Sequence, residues 1–266
     1  MQKLKIALVQ LTSNQNKEEN LLKVKKFIDL ASKNYAKLIV FPEFTDFFAT
    51  QDISKNDLYE VSEDENSKFL SEVKSMAASS NIEVLIGVYS RGSLKPAVHS
   101  TAYLITPEGK ILAKYSKSHL FEAFGSSERE NLVPSDDMPL IFDYMGFRFG
   151  IIVCYEIRFP ELARRVTLLG ADALLIPSGW YKGYNKEDQW ETLVKARAME
   201  NTIYVLTSNQ IGNSFTGITM AADPAGMIIS RATEEEGLIF VELSKERLLR
   251  VRDYLPLLKQ RRPELY

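Results

Sequence analysis

The chain has 266 residues, 45% of them hydrophobic and 26% charged, with a formal net charge of −2 at pH 7. This is the composition of a globular protein with enough apolar surface for a sizeable core, and it excludes a largely disordered chain. The near-zero charge gives no electrostatic reason to expect nucleic acid or an anionic membrane as partner.

Taken in order, short Val/Ile/Leu-rich runs alternate with longer amphipathic stretches. "KIALVQL" (5–11) predicts a buried strand and "NLLKVKKFIDLASKN" (20–34) a helix. "KLIVFPE" (37–43) reads as strand, "NSKFLSEVKSMAASS" (66–80) as helix and "IEVLIGVYS" (82–90) as strand. In "STAYLITPEGKILAKYSK" (100–117) the "TPEGK" turn predicts a hairpin. Residues 118–139 are polar, with Gly, Ser and Pro, and read as a long loop of the kind that often carries function. A second hairpin follows, turning near "YMG" and ending at Cys154. Then come a helix at 159–170, a strand at 171–178, a helix at 185–201 and a strand at 202–210. A hairpin around "DPAG" and a last strand at 237–243 precede a C-terminal segment that begins helical and ends as a basic, proline-punctuated tail.

No linker or composition shift divides residues 1–266, so a single domain is expected. The strand, helix, strand, hairpin succession occurs twice, which suggests two similar halves on an α/β plan with mixed sheets. Cys154 is the only cysteine, which excludes an internal disulfide, and with His99 and His119 as the only histidines neither a metal nor a cofactor is expected. No apolar stretch reaches the roughly 18 residues of a membrane span, and the N-terminus lacks the apolar core of a signal peptide. A cytoplasmic protein without membrane partners is expected.

Three strand ends concentrate reactive side chains, and ligands of α/β sheets bind outside the carboxyl ends of strands. Glu43 follows the apolar run behind Pro42, Lys117 leaves the first hairpin, and Cys154 closes a strand in "GIIVCYEIRFPE". Singly, each has an ordinary reading: a buried small hydrophobe for the cysteine, a first-turn acid for the glutamate, a solvated lysine. Together they supply a nucleophile, a base and a cation, which acyl transfer requires.

"KLIVFPEF", "YSKSHLF" and "CYEIRFPE", in that order, resemble the three signature segments of the nitrilase superfamily of carbon–nitrogen hydrolases, and the resemblance extends over nearly the whole chain. It implies a four-layer α-β-β-α sandwich and a Glu43-Lys117-Cys154 triad. It also implies a second glutamate in the loop after the lysine, aligned with Glu128, although Glu130 lies two positions away. On this reading a helix N-terminus and Lys117 favour the Cys154 thiolate, and Glu43 is the general base. Lys117 and the backbone N–H of Tyr155 are candidate donors to the oxyanion, with Trp180 and Tyr181 as pocket walls. Arg158 reads more readily as a structural ion-pair partner than as a ligand of a substrate carboxylate.

Two positions depart from the family pattern: Gln189 stands where the late helix often has histidine, and Ala225 replaces the tryptophan of a "DPWG" turn. The resemblance is nearest to the omega-amidase-like branch. The expected activity is hydrolysis of a small linear amide to an acid and ammonia through a cysteine thioester. A nitrilase or an N-carbamoyl amidohydrolase would use the same triad, and a catalytically silent binding module is the alternative of another class. The family's habits imply a homodimer or higher homo-oligomer, with the tail from about residue 250 to 266 at a subunit interface.

Overall fold

The protein is described by a computed structural model over residues 2–50 and 52–265. In chain order its main strands are β1 (Lys3–Gln10), β2 (Leu38–Val40), β3 (Glu83–Arg91), β4 (Val98–Ile105), β5 (Ile111–Ser116), β6 (Leu140–Tyr144), β7 (Phe147–Ile151), β8 (Ala173–Ser178), β9 (Tyr204–Asn209), β10 (Met220–Ala222), β11 (Ile228–Arg231) and β12 (Gly237–Ser244). The helices are α1 (Lys17–Lys33), α2 (Lys55–Val61), α3 (Lys68–Ser80), α4 (Pro160–Leu168), α5 (Lys186–Asn201) and α6 (Lys245–Tyr254).

Two six-stranded mixed sheets result, in the orders β12-β1-β2-β3-β4-β5 and β11-β10-β9-β8-β7-β6. In the first, β1, β2 and β3 run parallel, β4 and β5 return antiparallel, and β12 adds antiparallel outside β1. The second repeats this plan: β7, β8 and β9 are parallel, β10 and β11 antiparallel, and β6 lies outside β7. The twofold succession read in the sequence is therefore a repeat of topology.

Period-two alternation sorts each strand between layers. On β1, Leu4, Ile6 and Leu8 join the central cluster with Phe149 and Ile151 of β7, whereas Ala7 and Val9 face outward to Val24 and Phe27 of α1 and Phe69 of α3. The central cluster continues to Val166 of α4 and to Trp190 and Val194 of α5. The architecture is thus helix, sheet, sheet, helix, the four-layer sandwich.

Some boundaries differ from the sequence reading. The strand expected over 37–43 ends at Val40: Phe41 N–H still bonds Leu85 O at 2.8 Å, but Pro42 has no N–H for the ladder, and the next amide to reach β3 is that of Thr45, bonded to Gly87 O at 2.8 Å beyond the turn. The short α2 escaped the reading because seven residues with one buried position, Leu58, carry too little periodicity. The long loop holds a two-residue ladder, Glu122–Ala123 with Ser126–Ser127, and a 3₁₀ turn at Glu128–Glu130. Among the described residues no helix is long and apolar enough to cross a membrane.

Candidate active site

Each of the three strand ends delivers its side chain through a tight local structure. After β2 the chain turns at Phe44, which has φ +58°, and the turn lies directly on β3. A Cβ on Gly87 would stand 2.6 Å from Pro42 O and 2.7 Å from Glu43 Cα, so only glycine admits this approach. Lys117 leaves β5 with its amide bonded to Ser100 O at 2.9 Å. Cys154, three residues beyond the end of β7, takes φ +48°, a left-handed conformation rare for a residue with a side chain, and opens a 3₁₀ turn over Cys154–Arg158.

These turns bring four predicted residues together. Lys117 Nζ lies 3.0 Å from Glu43 Oε1 and 3.0 and 2.9 Å from the two oxygens of Glu128. Glu43 Oε1 also accepts from Ser100 Oγ at 2.7 Å, and its Oε2 from the Gly179 amide at 3.1 Å. Glu43 also acts on the Cys154 thiol and favours its protonated form. Glu43 and Lys117 are wholly buried and Cys154 nearly so. Glu128 is further fixed by the Phe121 amide at 2.7 Å, whereas Glu130 is exposed at the rim. Ser100 and Gly179, which the sequence reading did not name, therefore fix the Glu43 carboxylate.

The charges follow from this packing. Burial opposes the ammonium of Lys117, but Glu128 and Glu43 outweigh it and hold its pKa well above the usual lysine value. Burial raises the pKa of Glu128, with Lys117 opposing. Burial also pushes the Cys154 thiol well above its ordinary range, the charge of Glu43 adds to this, and Lys117 opposes without reversing it. The expectation that a helix N-terminus and Lys117 together favour the thiolate is thereby corrected. The helix that was to assist it, α4, begins only at Pro160, and a carboxylate lies against the sulfur. The arrangement places a neutral thiol beside a buried carboxylate.

Glu156 joins the lysine and cysteine segments. This fully buried carboxylate accepts from Tyr115 OH at 2.8 Å, Ser118 N at 2.8 Å and Ser118 Oγ at 2.6 Å through Oε1, and from Val153 N at 2.7 Å through Oε2. Burial works against its charge, yet the contacts from His119, Ser118, the Val153 amide and Tyr115 keep its pKa below the ordinary value. His119 itself packs on Phe159, with ring centroids 4.1 Å apart.

Around the sulfur stand aromatic walls. Tyr155, next to Cys154, meets Phe121 edge to face at 5.2 Å, and its backbone N–H belongs to the first turn, where amides lack an earlier partner. Tyr181 lines a cleft of about 330 Å³ together with Phe44, Tyr89 and Glu128. Trp180 is buried behind it, its ring tilted against that of Trp190 with centroids 4.8 Å apart, and carries Arg158 on its ring at 4.8 Å. Arg158 is not the ion-pair partner that was expected: it donates to Gln189 Oε1 at 2.6 Å, and among the described residues no carboxylate pairs with it. No group of three or more candidate metal ligands occurs among the described residues.

A four-layer sandwich whose strand ends gather a buried thiol, a carboxylate and a lysine defines a cysteine-dependent hydrolase. The model of the carbon-nitrogen hydrolase family matches residues 5–253, and the chain belongs to that family, within the nitrilase superfamily, as a hydrolase of carbon–nitrogen bonds. It is 33% identical over 268 residues to the deaminated glutathione amidase of Synechocystis, covering 96% of this chain and 97% of that one. With the omega-amidase NIT3 of Saccharomyces cerevisiae it shares 31% identity over 284 residues, covering 100% and 95% of the two chains. The crystal structure of the Caenorhabditis elegans NitFhit protein superposes with a TM-score of 0.93 at 27% identity, over 100% of this chain and 66% of that longer one. These likenesses place the chain close to the omega-amidase and deaminated-glutathione-amidase branch.

Proposed function

We propose that the protein hydrolyses a small linear amide to a carboxylic acid and ammonia through a thioester on Cys154. The observation that carries this reading is Glu43, buried, bonded to the ammonium of Lys117 at 3.0 Å and near enough to the thiol of Cys154 to raise its pKa. Glu43 takes the thiol proton as sulfur attacks the amide carbon. The oxygen that becomes negative is met by Lys117 Nζ and the Tyr155 N–H, and one such donor is typically worth about 2.7–4 kcal/mol at the barrier. When the tetrahedral species collapses, the C–N bond breaks and Glu43 returns its proton to the leaving nitrogen, which departs as ammonia. A water then gives a proton to Glu43 and attacks the thioester, and the departing sulfur recovers the proton as the acid is released.

Glu128 holds Lys117 in place and faces the cleft, which suits it to orienting the amide. The names of the two curated relatives, both amidases, favour an amide over a nitrile. We further propose a homodimer. Leu168 and Leu169 at the end of α4 are half exposed, and the tail beyond α6 exposes Leu265, so apolar surface lies where a second copy would cover it.

Ammonia release from a panel of small amides, nitriles and N-carbamoyl compounds tests this function, with Cys154→Ala as control. Turnover of amides that vanishes in the variant is the expected result. Turnover confined to nitriles or N-carbamoyl compounds would reassign the substrate, and an unreactive thiol with no turnover would favour the binding-module alternative.

A further inference from the structure

Gln210, the residue after β9, is wholly buried, and its side-chain amide is directed at the Glu43 turn. Its Nε2 donates to Glu43 O at 2.9 Å, to Phe44 O at 3.1 Å and to Ser13 Oγ at 2.5 Å, and its Oε1 accepts from Ser13 N at 3.0 Å. Ser13 Oγ in turn donates to Phe44 O at 2.7 Å. Phe44 is the residue with φ +58°, so carbonyls that a regular strand would pair with its neighbours are met here by side chains. The backbone of Gln210 is itself fixed, its N–H to Ser178 O at 3.0 Å and its carbonyl to the Gly217 N–H at 3.0 Å.

These contacts cross from one sheet to the other. Glu43 follows β2 in the first sheet, whereas Gly179 and Gln210 follow β8 and β9 in the second, the sheet whose strand β7 leads to Cys154. The two sheets meet chiefly through the central apolar cluster, and apolar packing has no preferred direction. Hydrogen bonds do, and they fix a separation to a few tenths of an ångström. Glu43 is held from the second sheet at both ends, its carbonyl by Gln210 and its carboxylate by the Gly179 N–H at 3.1 Å. Asn209 secures the second of these contacts, since its Oδ1 accepts from the amide of Trp180, next to Gly179, at 2.8 Å.

We propose that Gln210 is a positioning residue, which sets the Glu43 carboxylate against the sulfur of Cys154 by tying the turn of the first sheet to the strand ends of the second. It touches no reacting atom, and it rests on the amidase reading only for the role of Glu43 as base. Loss of its side-chain amide leaves two turn carbonyls short of a donor and lets Glu43 withdraw from the sulfur.

Gln210→Met keeps the length of the side chain and removes its donors. Thiolate absorbance, referenced to the same variant carrying Cys154→Ala, reports how closely Glu43 faces the sulfur without any turnover, because the carboxylate opposes ionisation of the thiol. In Gln210→Met the thiolate should appear at a pH lower by about one unit or more. In a Glu43→Gln background the same substitution should leave it nearly unmoved, since the charge that reports the displacement is gone. For amide hydrolysis kcat should fall about tenfold or more, with KM changed less than about threefold. Ser13→Ala removes one donor to Phe44 O and one acceptor of Gln210, so it should shift the thiolate the same way by less, and it carries the test alone where Gln210→Met does not fold. An unshifted thiolate in the variants that fold, or an equal shift in the Glu43→Gln background, would overturn the positioning role. Ammonia release by the wild-type protein separates the two claims: a shifted thiolate with no turnover of any amide would remove the amidase reading and leave the positioning of Glu43 standing.

Discussion

Lys117 Nζ makes a forked contact with Glu128, 3.0 Å to one carboxylate oxygen and 2.9 Å to the other, while Glu130, two residues on, is exposed. The difference arises in the 3₁₀ turn at Glu128–Glu130, whose tighter winding sends neighbouring side chains to different sides. Glu128→Gln should therefore lower kcat/KM about 100-fold or more, since it leaves Lys117 with one carboxylate and shifts the oxyanion donor. Glu130→Gln should change it less than about threefold. Steady-state ammonia release from both variants checks the contrast, and equal losses would show that the loop is arranged differently from this account.

The thiol of Cys154 is held protonated by burial and by Glu43. Thiolate absorbance near 240 nm, taken as wild type minus Cys154→Ala, should be absent at pH 7 and still small at pH 8.5, where an ordinary cysteine is half ionised. Glu43→Gln removes a charge that opposes ionisation, so it should bring the thiolate in at lower pH while reducing turnover. A full thiolate signal in the wild type at pH 7 would contradict the neutral-thiol ground state.

Gly87 carries no reacting group, yet it sets where Glu43 stands. In Gly87→Ala the new Cβ meets Pro42 O and Glu43 Cα, both backbone atoms, at 2.6 and 2.7 Å, so β3 and the Glu43 turn must separate. Overpacking of this kind costs about 1–3 kcal/mol in stability. Displacing the base should also cost about tenfold or more in kcat/KM per folded molecule. Denaturant titration gives the folded fraction for the comparison, and unchanged kcat/KM per folded molecule would show that the turn does not position Glu43.

Glu156 links pH to stability with a definite sign. Its folded pKa is depressed below the unfolded value of about 4.3, so its contribution is complete above that pH and is lost as pH falls through the folded pKa. Glu156→Gln should destabilise the protein by about 2 kcal/mol or more at pH 7, because several buried donors lose a charged acceptor. The gap to wild type should narrow as pH falls below about 4.3. Urea midpoints at pH 7 and pH 4 measure it, and a gap that stays constant or widens on acidification would refute the role.

The parts legible in the sequence were those written in local contrast. Glu43, Lys117 and Cys154 each stand where an apolar run stops, and the runs themselves fix the two sheets. Glu128 could not be separated from Glu130, because the loop carries no periodicity and the choice is made by Lys117 arriving from β5. Glu156 lay within the quoted segment, but nothing in that segment marked its role. Its partners Tyr115 and Ser118 come from the far side of the sandwich. Lys186 carried no signal at the start of its helix, and only the meeting of Phe121, Phe124 and Trp180 hides it. The direction of the Cys154 pKa was also closed to sequence reading, since it depends on which of two opposite charges lies nearer and on burial.

The central claim is that the sulfur of Cys154 carries the acyl group, and intact-mass spectrometry after rapid acid quench of amide turnover tests it most directly. The account predicts a transient adduct with the mass of the substrate less ammonia, located on the Cys154 peptide and absent in Cys154→Ala. Amide hydrolysis that persists in Cys154→Ala, with no adduct on the wild-type cysteine, would contradict it.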